Sequence, residues 1–276
     1  MPTTIQELRN HFFIVANWVG RDTPNDRIIF GDPDRIIKKV ATGWSACLCN
    51  LEAAATAGCD LFISHEMFFG DKWAPHLPAT ETIDVKQRLA VLQKNNLACM
   101  NQHDTWDNFP EYGIRDSWHS FLNLGICLAE RPYYSPFHDR YAPQNSLMLS
   151  KIKPQTLIEF AGFVTKQCSI FPSSPGVTIY GNPQTIVQTV ATGVGCHIPA
   201  FEMLELGADV LILTFDRAFQ NTIRIPLAEM GANIIVVEHG TSEMPGMQSM
   251  AVYLPRIFPE IETLFLAKEP QSYIVT

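Results

Sequence analysis

The sequence predicts an α/β fold of two similar lobes built from duplicated βα units, with a metal site in the cleft between them. Three observations carry that expectation. Short apolar runs alternate with amphipathic ones, which is the signature of parallel βαβ units. A segment early in the chain is echoed late in it. Three apolar runs also end in a histidine followed closely by a carboxylate, at the strand ends where open α/β sheets bind their ligands.

In chain order, the first 35 residues hold a helix-like opening and a Gly/Asp/Pro-rich stretch, Gly20 to Asp34, that reads as loop. Ile36 to Thr42 reads as a strand, and Ser45 to Ala57, rich in Ala, Leu and Cys, as a helix. Leu61 to Ser64 is a strand, and His65 to Pro78 has the composition of a functional loop. Glu81 to Asn95 is helical, with Val85, Leu89 and Leu92 at helical spacing, and Leu97 to Gln102 is the next strand. A second block begins with Ile158 to Phe163, continues through Val177 to Tyr180, and runs by way of Thr185 to Thr192 into Gly193-Val-Gly195. Pro199 to Gly207 is helical, Val210 to Leu213 a strand, Ile225 to Met230 a helix, and Ile234 to Val237 a strand. The Pro- and Tyr-rich stretch Ala129 to Asn145 is the expected connection, giving domains of 1–128 and 129–276.

The echo has two parts. Ala57-Gly58-Cys59-Asp60-Leu61-Phe62-Ile63 matches Leu206-Gly207-Ala208-Asp209-Val210-Leu211-Ile212: a helix end, a glycine cap and a buried strand. One βα step later, His103-x3-Asp107 matches His239-x3-Glu243. Chance likeness between any two βα steps is the alternative; the agreement at the chemically loaded ends favours duplication.

Composition excludes some functions. The net charge is −8 with no basic cluster, so nucleic acid is not an expected partner. The apolar run Phe12 to Gly20 lacks a basic leader and a small-residue cleavage site, and nothing approaches the ~20 residues that span a bilayer. Seven cysteines, several inside apolar runs, read as small buried hydrophobes in a reducing, cytoplasmic compartment. Cys47 and Cys49 have no second pair at zinc spacing.

The candidate metal ligands are His65, Glu66, His103, Asp107, His239 and Glu243. Imidazole and carboxylate together suit Zn²⁺, Mn²⁺ or Fe²⁺. An x3 spacing places both groups on one side of a helical turn or on one face of an extended segment. At the third site Thr241 and Ser242 are available as helix caps, while Pro245-Gly246 suggests a loop. Any one pair is also explained as a satisfied polar contact at a strand end; three pairs supply too many ligands for one ion and point to two. Asp104 is either a solvated loop residue or the partner of a ligand.

Other features are weaker. Gly193-Val-Gly195 suits a phosphate-cradling turn or simply a tight strand-to-helix turn, and the dinucleotide fingerprint is absent. His197 reads as structural, and His11, His76, His119 and His138 lack an acid at a strand end. Phe68, Phe69, Trp73, Trp106 and Tyr112 either line a pocket for a flat ring or pack around a buried site.

Taken in order, His65-Glu66, His103-Asp-Thr-Trp-Asp107 and His239-Gly-Thr-Ser-Glu243 resemble the pattern of the Nif-three-like family of dinuclear-metal, hexameric proteins. Some members of that family carry the name GTP cyclohydrolase I type 2. The resemblance covers most of the chain, which is similar to the short members without an inserted domain. Two departures stand out: Glu66 occupies the place of the family's second histidine, and Thr214-Phe215-Asp216 stands where the family has Thr-Gly-Glu. The resemblance implies that the two α/β lobes are intertwined, and it implies two divalent ions per chain and a ring-shaped homohexamer. The expected function is a metal-dependent hydrolase whose dinuclear centre activates a bridging water, acting on a small molecule such as a nucleotide or cyclic amide. The alternative is a non-enzymatic metal-binding or metal-delivery protein, or an oligomeric scaffold.

Overall fold

The computed structural model describes residues 2–66, 68, 80, 82–133, 145–171, 176–193, 195, 198–218 and 221–268. The chain divides into two compact units, Met1–Gly113 with Gly246–Pro270, and Ile114–Pro245 with Gln271–Thr276. The elements up to residue 113 are β1 (Thr3–Thr4), α1 (Ile5–Val15), β2 (Ile28–Phe30), β3 (Ile36–Ile37), β4 (Lys39–Gly43), α2 (Leu48–Thr56), β5 (Leu61–Ser64), α3 (Ile83–Asn95), β6 (Ala98–Asn101) and α4 (Asp104–Asp107). Next come α5 (Ile114–Phe121), β7 (Cys127–Tyr133), β8 (Asn145–Thr156), α6 (Leu157–Cys168), β9 (Thr178–Tyr180), β10 (Ile186–Thr192), α7 (Ala200–Glu205), β11 (Val210–Thr214), α8 (Phe215–Ala218), α9 (Asn221–Glu229) and β12 (Asn233–Val237). The last elements among the described residues are α10 (His239–Ile257) and β13 (Glu262–Phe265).

In the first unit the sheet order is β13-β4-β5-β6-β2, with β4, β5, β6 and β13 parallel and β2 antiparallel at the edge. One face carries Ala41, Phe62 and Cys99, packed with Leu51 and Ala54 of α2 and Val85 and Leu92 of α3. The pairing of β13 with β4 brings 246–270 back to this unit. The division therefore differs from the expected 1–128 and 129–276, because a C-terminal strand completes the N-terminal sheet.

In the second unit the order is β7-β8-β10-β11-β12-β9. Here too the three central strands, β10, β11 and β12, are parallel, with antiparallel β9 beside the last of them. One face packs Val187, Val190, Val210, Ile212 and Ile235 with Phe160 and Val164 of α6. The other packs Ala191, Leu211, Leu213, Ile234 and Val236 with Met203 of α7 and Leu227 of α9. Such two-sided burial is what makes these strands near-continuous apolar runs.

The two units repeat each other in detail. Thr4 and Glu7 form a capping box at the start of α1, and Thr156 and Glu159 form one at the start of α6. Gly58 (φ +72°) and Gly207 (φ +87°) end α2 and α7 in the left-handed conformation that favours glycine. Asp60 Oδ2 accepts from the backbone N–H groups of Lys38 and Lys39 at 2.8 and 3.0 Å; Asp209 Oδ2 does the same for Gln188 and Thr189 at 2.9 and 3.0 Å. A stronger signal lay unread in the sequence. Gly31-Asp-Pro-Asp-Arg-Ile-Ile-Lys-Lys-Val-Ala-Thr-Gly43 and Gly181-Asn-Pro-Gln-Thr-Ile-Val-Gln-Thr-Val-Ala-Thr-Gly193 share their Gly-x-Pro opening and Val-Ala-Thr-Gly end.

Three local expectations change. Ile36 to Thr42 is two strands, since Lys38 N is taken by Asp60 where the chain passes from β3, paired with β1, to β4 of the main sheet. Ala129 to Asn145 begins and ends in the antiparallel pair β7–β8, with the residues between outside the described set. Beyond His239 a helix runs straight through Pro245-Gly246. Met244, Met247, Met250 and Leu254 are buried at helical spacing, and that burial outweighs the loss of a backbone hydrogen bond at proline.

Gly31 (φ +110°) and Gly181 (φ +113°) occupy matching positions where an added Cβ would lie 2.7 Å from Ala98 Cβ and 2.4 Å from Asn233 Oδ1. Gly31→Ala and Gly181→Ala are each expected to destabilise the protein by roughly 1–3 kcal/mol. Urea denaturation reads this, and a wild-type midpoint in either variant would contradict the close approach.

Candidate metal centre

In the first unit, parallel pairing of β5 with β6 sets Ser64 opposite Asn101, so the residues that follow leave adjacent strand ends together. His65 and His103 stack with ring centroids 4.5 Å apart and planes 11° from parallel. Asp107, one turn beyond His103 on α4, places Oδ1 3.4 Å from His65 Nε2 and Oδ2 3.8 Å from His103 Nδ1. Ligand atoms of His65, His103 and Asp107 all lie within 4.8 Å of one another. His65 Nδ1 lies 3.2 Å from the Gln102 carbonyl. A carbonyl only accepts, so Nδ1 carries the proton and Nε2 presents its lone pair toward Asp107.

The strand-end turn is held by residues the sequence reading did not single out. Glu66 N donates to Trp44 O at 2.8 Å. Asn101 Nδ2 donates to the Glu66 carbonyl at 2.6 Å, while its Oδ1 accepts from Phe68 N at 3.3 Å. Glu66 lies outside the group of three, and its charge helps to raise the pKa of His103.

Asp26 is the larger omission. Its carboxylate is fully buried and accepts from the backbone N–H groups of His103, of Asp104 (2.9 Å) and of Thr105 (2.8 Å). It therefore caps α4 from a distant loop. Burial, and then the charge of Asp104, push its pKa up to about 6 against those hydrogen bonds. Asp104 is buried as well. Its Oδ1 lies 3.0 Å from His103 Nδ1 and accepts from Asn25 Nδ2 at 2.9 Å, and its Oδ2 accepts from Thr23 Oγ1. Burial opposes ionisation there, but His103, Thr23 and Asn25 hold the carboxyl well below the usual range. Of its two sequence readings, the partner of a ligand is the one observed. Burial pulls the His103 pKa down, yet Asp107, Asp104 and Glu66 outweigh it and leave that pKa well above the ordinary value.

In the second unit, His239 opens α10 after β12, and its Nε2 lies 2.9 Å from Oε1 of Glu243 one turn on. Its Nδ1 faces Asp216 Oδ2 at 3.1 Å. A carboxylate on one ring nitrogen thus orients the other, and Asp216 is a site residue outside the predicted set. Its signal was the departure Thr214-Phe215-Asp216 after β11. Glu238, rather than Thr241 or Ser242, caps the helix, accepting from Thr241 N at 2.9 Å. Gly195 (φ +67°) passes close by: a Cβ there would sit 3.6 Å from Glu243 Oε1.

The other candidates resolve into structure where they are described. Trp106 is wholly buried, packs with Phe12, Phe109 and Tyr253, and donates Nε1–H to Gly246 O at 3.0 Å. The Tyr112 ring packs at a 51° tilt against Tyr253, with Arg256 over its face. His11 pairs with Tyr253 Oη and His119 with Ser150 Oγ, each at 2.7 Å. Phe69, Trp73, His76, His138, Val194 and His197 fall outside the described residues.

The donor set fits a divalent cation. Two imidazoles and a carboxylate converge, one imidazole is held in the ligand tautomer, and Asp107 Oδ1 is buried with no hydrogen bond among the described residues. Residues 21–271 match the family model described as Duf34/NIF3 (NGG1p interacting factor 3). The chain belongs to the Duf34/NIF3 family. Solved structures agree in fold across nearly the whole of this NIF3-family chain. Staphylococcus aureus protein SA1388 is 16% identical with a TM-score of 0.77, covering 99% of this chain and 100% of that one. A Bacillus cereus protein related to NIF3 is 11% identical with a TM-score of 0.77, covering 100% of each. HcgD from Methanocaldococcus jannaschii, in its reduced form, is 16% identical with a TM-score of 0.68, covering 96% and 98%. None of the curated proteins compared matches the chain.

Asp26→Asn exchanges one accepting oxygen for an amide that faces a backbone N–H. It is expected to cost about 1–2 kcal/mol and to weaken metal binding roughly 10–100-fold. Thermal denaturation and metal titration check the two effects separately; wild-type metal affinity would show that the cap does not position His103.

Proposed function

We propose that this NIF3-family protein is a metal-dependent hydrolase with a dinuclear centre, held by His65, Glu66, His103, Asp107, His239 and Glu243. The observation that carries the reading is the convergence of His65, His103 and Asp107, with ligand atoms within 4.8 Å of one another. The His239–Glu243 pair, with Asp216 on the second ring nitrogen, supports a second ligand group of the same chemistry. Zn, Mn or Fe suits such donors. Two bound divalent ions would acidify water and polarise the electrophilic atom of a substrate. The residues supply orientation: Gln102 O sets the His65 tautomer, Asp104 and Asp216 set the two other imidazoles, and Asp26 holds the turn that carries His103.

The substrate class we favour is a small nucleotide or cyclic amide and the assembly a homohexamer, both following from the family pattern, and the compartment is the cytoplasm, following from the buried cysteines. No helix among the described residues is long and apolar enough to cross a membrane. One observation favours a second reading, a non-enzymatic metal-binding or metal-delivery protein or scaffold. Asp26 and Asp104, the further carboxylates touching His103, are both committed to hydrogen bonds rather than placed for proton transfer.

Glu66→Ala and Glu243→Ala should each lower metal content, measured by elemental analysis on protein purified without added metal. Full occupancy in both variants would remove those residues from the ligand set, and one ion per wild-type chain would remove the dinuclear centre. Turnover of a panel of nucleotides and cyclic amides, present in the metal-loaded protein and lost on chelation, is the expected result. A fully loaded protein inactive across that panel would favour the second reading.

A further inference from the structure

Cys47 and Cys49 take no part in the metal centre, and the chemistry proposed above leaves them unused. Cys47 is the N-cap of α2 and Cys49 the second residue of that helix. Their sulfurs lie 2.8 Å apart, closer than two thiols normally pack, and a disulfide at about 2.0 Å requires less than about 1 Å of further closure. Both side chains are partly exposed. Beside Cys49 opens a groove of about 470 Å³, lined by Glu52, Ala53, Thr56, Ala57 and Lys268. The Lys268 backbone carbonyl lies 3.4 Å from Cys47 Sγ, so the dithiol and the groove share one rim.

We propose that Cys47 and Cys49 form a thiol–disulfide exchange site, with the groove seating a small disulfide that carries amino-acid charges. The two cysteines are unequal. Burial and the adjacent Cys47 push the Cys49 thiol up to about 11, so Cys49 stays protonated and serves as hydrogen-bond donor to its neighbour. Cys47, the N-cap of α2 on the rim shared with Lys268, is the attacking sulfur. It attacks one sulfur of R–S–S–R: a Cys47–S bond forms, the S–S bond breaks, and the leaving thiolate takes up a proton. Cys49 then loses its proton and attacks Cys47 Sγ, expelling the second thiol. Two protein thiols are oxidised to one disulfide, and the small disulfide is reduced to two thiols. Lys268 and Glu52 match the carboxylate and ammonium of a cystine- or glutathione-type disulfide.

The test uses the full-length chain, reduced and then equilibrated with mixtures of glutathione and glutathione disulfide. Samples are quenched by alkylation and read by peptide mass spectrometry. The peptide containing both cysteines should become two hydrogens lighter and resistant to alkylation as the disulfide fraction rises, and should revert with dithiothreitol. Cys49→Ser should accumulate one glutathione on Cys47, whereas Cys47→Ser should leave Cys49 unmodified. The double variant Glu52→Ala/Lys268→Ala should slow mixed-disulfide formation with glutathione disulfide several-fold, but not with uncharged hydroxyethyl disulfide. Alkylation of both cysteines at every ratio, or glutathione first appearing on Cys49 or on other cysteines, overturns the exchange site. Equal slowing with both disulfides overturns the assigned role of the groove. Wild-type metal content in each variant shows that the readout is independent of the metal centre.

Discussion

The parallel register of β5 on β6 is the constraint on which the convergence of His65, His103 and Asp107 depends. Ser64 lies opposite Asn101, and Gln102 N extends the ladder to Ser64 O at 2.9 Å. His65 and His103 therefore leave the sheet at the same level, and their rings stack rather than diverge. Side chains alternate with period two along a strand, so a slip of one residue would turn one imidazole to the opposite face. The register is in turn secured by burial. Leu61, Phe62, Ile63, Ala98, Cys99 and Met100 are all fully enclosed, and no shifted pairing hides the same set.

Bringing these groups together concentrates negative charge in a poorly solvated place. Burying ionised carboxylates is costly unless each is paired or hydrogen-bonded. Around His103 the protein answers with a layered arrangement: Asp104 on the ring, Thr23 and Asn25 on Asp104, and Asp26 on the backbone of the turn. Asp107 Oδ1 is buried and faces His65 Nε2 at 3.4 Å, donor types that suit a divalent cation. The same logic recurs at His239, with one carboxylate on each ring nitrogen.

Much of this was legible in the chain itself. Apolar runs ending in histidine marked β5, β6 and β12, because two-sided burial leaves no polar residue in such strands until they emerge. The glycine caps at Gly58 and Gly207, followed by Asp60 and Asp209, betrayed the duplication, since both halves solve the same helix-to-strand turn with the same residue types. His103 with Asp107 and His239 with Glu243 were readable as pairs because their four-residue spacing is local and helical.

What only the tertiary structure decided is everything that depends on distant partners. Asp26 sits in a stretch that reads as plain loop, yet it bonds to His103 N from 77 residues away, a relation with no local period or composition to reveal it. Asp104 had two readings until Thr23 and Asn25 enclosed it. Pro245-Gly246 signalled a break, and the burial of Met244, Met247 and Met250 made a helix instead. The return of β13 to β4 redrew the division into units for the same reason. Residue types and short spacings determined which groups are able to bind a cation. Long-range pairing and burial decided which of them face one another, because register and enclosure are properties of the packed chain and not of any one segment.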